Sequence, residues 1–126
     1  MRFIRTVNEQ PIVLEAIMMG QDIHVSLFGG EQAHIGAIAL AQSRPSIHDS
    51  KLRSASTSVI TVFGHKEDAL AKQYAERIAI AHGGVVTVSC GIHFDSASHD
   101  LIQEVIVASD QLVTQLIQAV GGNCNV

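Results

Sequence analysis

The sequence predicts an α+β domain: a meander of strands, then strand, helix, strand, helix, giving an antiparallel or mixed β-sheet with two helices mainly on one side. Three observations predict it. The first forty residues are apolar runs cut by glycines; Ser58–Arg77, "SVITVFGHKEDALAKQYAER", changes halfway from β-branched and aromatic residues to helix formers; and the last third carries a long apolar stripe at helical spacing.

Taken in order, Pro11–Met19 and Asp22–Phe28 are apolar runs split by Gly20 and Gln21, and a third run, Ala33–Ala41, follows Gly29 and Gly30. These read as antiparallel strands. The stretch Gln42–Ser56 is polar, contains Pro45 and follows neither period, so it reads as a long surface loop. A fourth strand, Thr57–Phe63, feeds a helix whose stripe of Leu70, Tyr74, Ile78 and Ala81 continues until Gly83 and Gly84 stop it. The fifth strand, Val85–Cys90, ends at Gly91. A second helix is expected from about His99 to Ala119, capped by Ser98 with Asp100 in its first turn. Its core row of Leu101, Val105, Ala108, Leu112 and Leu116 is flanked by a second row of Ile102, Ile106, Val113 and Ile117. So wide a stripe predicts a second covering surface, read as a homodimer contact.

The 126 residues form a single domain, 1–126, with one core. Hydrophobic residues make up 47% and charged ones 16%, which points again to apolar surface that meets a partner. A net charge of −4 with 8 Lys plus Arg provides no basic field for nucleic acid or an anionic membrane. Without a run of about 18 apolar residues or a signal-peptide stretch in Met1–Gln10, the expected location is cytoplasmic. Cys90 and Cys124 have no CxxC spacing and suit a reducing compartment, with Cys90 as a small core residue.

Chemistry-bearing residues gather at element boundaries: "GGEQAHIG" (Gly29–Gly36), "GHK" (Gly64–Lys66) and "GIHFD" (Gly91–Asp95). Glycine permits close backbone approach there, and histidine can donate, accept or titrate. The competing reading is that these are turn glycines with half-exposed histidines. A metal site built from His34, His65, His93 and Asp95 lacks the i, i+4 spacing of HExxH, and no GxSxG, GxGxxG or GxxxxGK[ST] occurs. An anion site at the start of the first helix is better supported: Gly64 allows approach, helix N–H groups donate, and His65 and Lys66 add donors and charge. Glu67 and Asp68 already complement the same dipole, which is the plain alternative. Arg44 and the hydroxyls of Ser54, Ser56, Thr57 and Ser58 would join the site if the long segment folded over the same end of the sheet.

"GGEQAHIGAIALAQSRPS", "STSVITVFGHKEDALAKQYAE" and "VVTVSCGIHFDSAS" resemble the prenylated-flavin chaperone (LpdD-like) family, small accessory proteins encoded beside UbiD-type decarboxylases of gallate and related hydroxyarylic acids. The resemblance runs from about Ile23 into the last helix, and HIGA, GHKED and GIH are specific in combination. "DSAS" departs from the family's tendency toward a Thr cap, but Ser98 caps equally well. The resemblance implies a non-catalytic protein that binds reduced prenylated FMN, made by a flavin prenyltransferase, and passes it to an apo-decarboxylase for maturation. It also implies a fold similar to proteasome assembly chaperones, and a dimer. The cofactor-binding residues read from the boundary clusters are His34, Gly36, Gly64, His65, Lys66, His93 and Asp95, with Arg44, Ser56 and Ser58 from the polar segment. Two other functions remain open: an obligate small subunit of the decarboxylase acting by contact alone, and a His/Asp metal-dependent enzyme.

Overall fold

The computed structural model describes residues 1–64 and 67–121. Among these, six strands form one sheet: β1 (Arg2–Val7), β2 (Gln10–Met19), β3 (Asp22–Gly30), β4 (Ala37–Pro45), β5 (Arg53–Thr61) and β6 (Val85–His93), in the order β1-β2-β3-β6-β4-β5. Every neighbouring pair is antiparallel except β3 with β6, which is parallel. Helices α1 (Asp68–His82) and α2 (His99–Gly121) cover one face, so the architecture is the expected α+β mixed sheet with two helices on one side.

Side-chain alternation along the strands selects that face. Ile12 and Leu14 of β2, Val25 and Leu27 of β3, and Val86 and Val88 of β6 point into the core, while His24, Ser26, Thr87 and Ser89 point away from it. On β4 the inward residues are Ala37, Ala39 and Ala41, and α1 buries Ala71, Ala75 and Ala79 in the same cluster. Small residues on both sides let the helix lie close to the sheet. Tyr74 is fully buried and donates its hydroxyl to Asp110 Oδ1 at 2.5 Å, joining α1 to α2.

Four expectations change. The three apolar runs do not form one meander: β6 inserts between β3 and β4, and residues 33–36 of the third run cross the end of β6 before β4 begins. The polar stretch Gln42–Ser56 is mostly ladder, because Gln42 to Pro45 pair with Ser56 to Arg53, and only 46–52 form the loop. It reads as a loop because β5 is an edge strand whose hydroxyls face solvent. A strand the sequence did not announce, β1, pairs with β2 through a tight turn at Asn8 and Glu9, both with positive φ. Finally, the second row of α2 is used within the chain. Val113 is buried and Ile106 and Ile117 half-buried, since α2 packs on β1, β2 and α1, and only Ile102 is exposed. The face left uncovered is the opposite side of the sheet. It exposes Ile4, Ile17, Ile38, Leu40 and Ile60.

Candidate ligand-binding site

The carboxyl ends of the parallel pair β3 and β6, the start of β4 and the N-termini of both helices converge at one end of the sheet. Open α/β sheets bind ligands in the corresponding crevice, where strands end and helices begin. Here a cavity of about 420 Å³ opens between the helix starts. Its walls are Ala69 and Leu70 of α1, Cys90 and Ile92 of β6, Phe94 and Ala97 of the connection, and Ile102, Val105 and Ile106 of α2. Glu67 and His93 bring polar groups to this apolar lining.

Two glycines make the rim. Residues 33–36 lie directly on β6, with the His34 amide donating to the Gly91 carbonyl at 3.4 Å and the Gly36 amide to Cys90 at 2.9 Å. A Cβ on Gly91 would sit 1.7 Å from the His34 carbonyl oxygen, and one on Gly36 would sit 2.2 Å from the Glu67 carboxylate. At Gly91 the obstacle is backbone, so only glycine allows this approach, whereas at Gly36 it is the end of the Glu67 side chain. The result is that His34 Nε2 meets Glu67 Oε1 at 2.7 Å, and the His34 and His93 rings stand edge to face with centroids 6.4 Å apart.

His34 Nδ1 faces the Gln32 carbonyl oxygen at 3.2 Å, and a carbonyl only accepts, so Nδ1 carries hydrogen. Nε2 is then the ring nitrogen that faces Glu67 Oε1. Glu67 stands at the N-cap position of α1, yet its side chain makes no cap hydrogen bond and turns to His34 instead. His93 Nε2 contacts Asp95 Oδ1 at 2.8 Å, and that bond holds the Asp95 carboxyl below its ordinary range, so Asp95 accepts and His93 donates. The Cys90 thiol is pushed up to about 12, first by burial and then by the negative charge of Glu67. It lines the wall as a neutral, unreactive group.

Of the residues expected at the site, His34, Gly36, His93 and Asp95 come together at this rim. Gly64 stands in the turn before α1 with φ of 83°, and a Cβ there would meet nothing within 4 Å among the described residues. His65 and Lys66 lie outside the described residues. Arg44, Ser56 and Ser58 are elsewhere: Arg44 donates from Nε to Ser56 Oγ at 2.8 Å near the far end of β4, seven residues or about 23 Å of strand from Ala37. The polar segment therefore does not fold over the cavity of its own chain, because it is the end of an edge hairpin. Glu67 was missed; the "ED" beginning the helix reads as dipole complement, and only the tertiary position of His34 reveals its other use. Of the apolar walls, Leu70, Cys90 and Val105 read from the sequence as core, and Ile102 and Ile106 as the row predicted to meet a second copy.

Fold and rim together define a small two-layer binding domain, with an apolar cavity at its strand ends guarded by paired histidines and carboxylates. The chain belongs to the prenylated flavin chaperone LpdD-like domain family, whose model matches residues 6–121. Its backbone is also similar to a crystal structure of a chaperone complex for yeast 20S proteasome assembly, at 15% identity and a TM-score of 0.52, over 96% of this chain and 97% of that one. At that identity the likeness is one of fold. Among curated proteins no sequence matches.

Proposed function

We propose that this protein is a non-catalytic carrier that takes reduced prenylated FMN into the cavity and delivers it to an apo UbiD-type decarboxylase of the gallate or protocatechuate kind. A flavin prenyltransferase is then its indirect source. The observation that carries this reading is the cavity, whose volume lies within the ~300–1,000 Å³ of small-molecule sites and whose apolar walls suit a prenylated ring system. His34, Glu67 and His93 supply the few polar groups that orient such a ring at its edge. The phosphate or ribityl chain is assigned to the start of α1, with Gly64, His65 and Lys66. Family membership supports the cargo, and Cys90 gives the wall no nucleophile.

Delivery requires a protein partner. Phe63 is fully exposed and Ile35 is exposed at the cavity end of the sheet, where the Val62 amide donates to the Gly36 carbonyl. Exposed apolar groups of this kind mark contact surface. A homodimer belongs to the same reading, supported by the uncovered apolar sheet face, and the cytoplasm is the compartment of the proposed client.

Anaerobic titration of the purified protein with reduced prenylated FMN tests the reading. One equivalent per chain is expected, and Ala97→Trp, which fills the cavity, is expected to abolish uptake. Absence of binding without the decarboxylase, combined with stoichiometric co-purification, would leave the small-subunit alternative. Uptake lost on chelation and restored by zinc would promote the metal-dependent one.

A further inference from the structure

The sheet has two edges, and they are built differently. The β1 edge is six residues long, carries Arg2 and Arg5, and has α2 packed on it. The β5 edge is nine residues long, and from Ser54 to Phe63, "SASTSVITVF", no residue is charged and none is proline. Short length, charge and proline keep foreign strands from adding to an open edge, and β5 has none of the three.

The ladder fixes which backbone groups of β5 point outward. The Ser43 amide donates to the Gly84 carbonyl, so the odd-numbered residues of β4 bond to β6 and its even-numbered ones to β5. The Val62 amide accordingly donates to the Gly36 carbonyl, and Ser54, Ser56, Ser58 and Ile60 turn their N–H and C=O groups to β4. Ala55, Thr57, Val59 and Thr61 turn theirs away from the sheet, and among the described residues no turn or loop bonds to those backbone groups. Side chains are sorted along the same edge. Ser54, Ser56 and Ser58 hold one half, whereas Ile60 is 75% exposed, Val62 44% and Phe63 fully, in the half that runs into Gly64 and the cavity rim.

We propose that a partner protein docks by adding an extended strand to the β5 edge, beside the mouth of the cavity. The outward groups of Ala55, Thr57, Val59 and Thr61, one donor and one acceptor at every second residue, match an extended backbone. A helix, whose backbone groups are bonded internally, cannot take them. The lack of charge from Ser54 to Phe63 selects an uncharged strand, since a lysine or glutamate set beside it would find no counter-charge there. Polarity selects against a second copy of β5. Two copies paired over the full strand about a two-fold axis at Thr57 set Ile60 beside Ser54, so the apolar half of each edge meets the hydroxyl half of the other. A strand that is apolar at one end and small or hydroxyl-bearing at the other matches along its whole length. That this partner is the protein receiving the ligand rests on the flavin reading above; strand addition at β5 does not.

The test uses an apo UbiD-type decarboxylase, with affinity read by calorimetry and the edge by amide hydrogen exchange. Thr61→Pro removes an outward N–H and no bond to β4, and is expected to weaken the complex about tenfold or more, whereas Thr61→Val keeps the N–H and binds as wild type. In the wild-type chain alone the amides of Ala55, Thr57, Val59 and Thr61 are expected to exchange rapidly, and in the complex to slow by about a hundredfold or more, a readout that needs no variant to fold. Thr61→Pro binding as tightly as wild type, or a complex in which these amides stay fast, overturns the proposal. Slowing of the same amides with rising concentration of the chain alone also overturns it, because a second copy then holds the edge. A wild type that takes up reduced prenylated FMN but forms no complex with the decarboxylase overturns strand addition and leaves the flavin reading standing. Slowed amides in a complex whose small chain takes up no flavin support strand addition and remove the flavin reading instead.

Discussion

Gly91→Ala is the most informative single change, because Gly91 has no positive φ and alanine fits its backbone conformation. Its whole effect must come from close approach. The new Cβ would stand 1.7 Å from the His34 carbonyl oxygen and 2.4 Å from its carbon, where unbonded heavy atoms rest at about 3.5 Å. Both obstacles are backbone, so residues 33–36 have to lift by roughly 1.5–2 Å. That breaks the His34 amide bond to Gly91 and the Gly36 amide bond to Cys90. At about 0.5–1.5 kcal/mol net for each bond, the expected loss is about 1–3 kcal/mol, or on the order of 4–12 °C in melting temperature. The same lift carries His34 away from Glu67, so affinity for reduced prenylated FMN should fall as well. Gly64→Ala is the comparison: it meets open space at a φ of 83°, incurs only left-handed strain of about 1–2 kcal/mol, and leaves His34 in place. Urea unfolding followed by circular dichroism, with an anaerobic fluorescence titration, reads both quantities. Gly91→Ala unfolding at the wild-type urea midpoint would refute the seating of the His34 segment on β6.

Tyr74→Phe removes the donor to Asp110 and should lower stability by about 1–2 kcal/mol in urea, with flavin binding unchanged because Tyr74 does not line the cavity. Cys90 has a thiol raised from 9.0 to about 12, so the stability it contributes is fully present below pH 9 and is lost as pH rises from there through 12. Cys90→Ala should therefore flatten the alkaline limb of a pH–stability profile, and Cys90 in the native protein should resist alkylation at pH 8 as read by peptide mass spectrometry. Lys66→Ala is expected to weaken binding of reduced prenylated FMN about ten- to a hundredfold, as loss of a charge-assisted hydrogen bond does, while Lys72→Ala on exposed α1 surface leaves it unchanged.

Local pattern alone determined most elements of this protein. Apolar runs split at Gly20 and Gln21 mark β2 and β3, the change of character at Gly64 marks the passage from β5 to α1, Gly83 and Gly84 end that helix, and Ser98 caps α2 through the Leu101 amide as its sequence position implies. Each signal lies within a few residues of its effect. The tertiary structure decided what depends on residues far apart. Placing β6 between β3 and β4 is a pairing across more than forty residues of chain, and alternation, which is the same whatever the neighbour, cannot specify it. β1 escaped notice because an edge strand buries little of its surface and its turn, Asn8 and Glu9, contains no glycine. The wide stripe of α2 is visible in sequence, but whether β1 and β2 or another chain covers it depends on where the helix docks. The site divides in the same way. His34, Gly36, His93 and Asp95 could be read from boundary glycines and histidines, whereas Glu67 became a rim residue, and Arg44 was separated from it, only through the crossing of residues 33–36 over β6 and the direction of the β4–β5 hairpin.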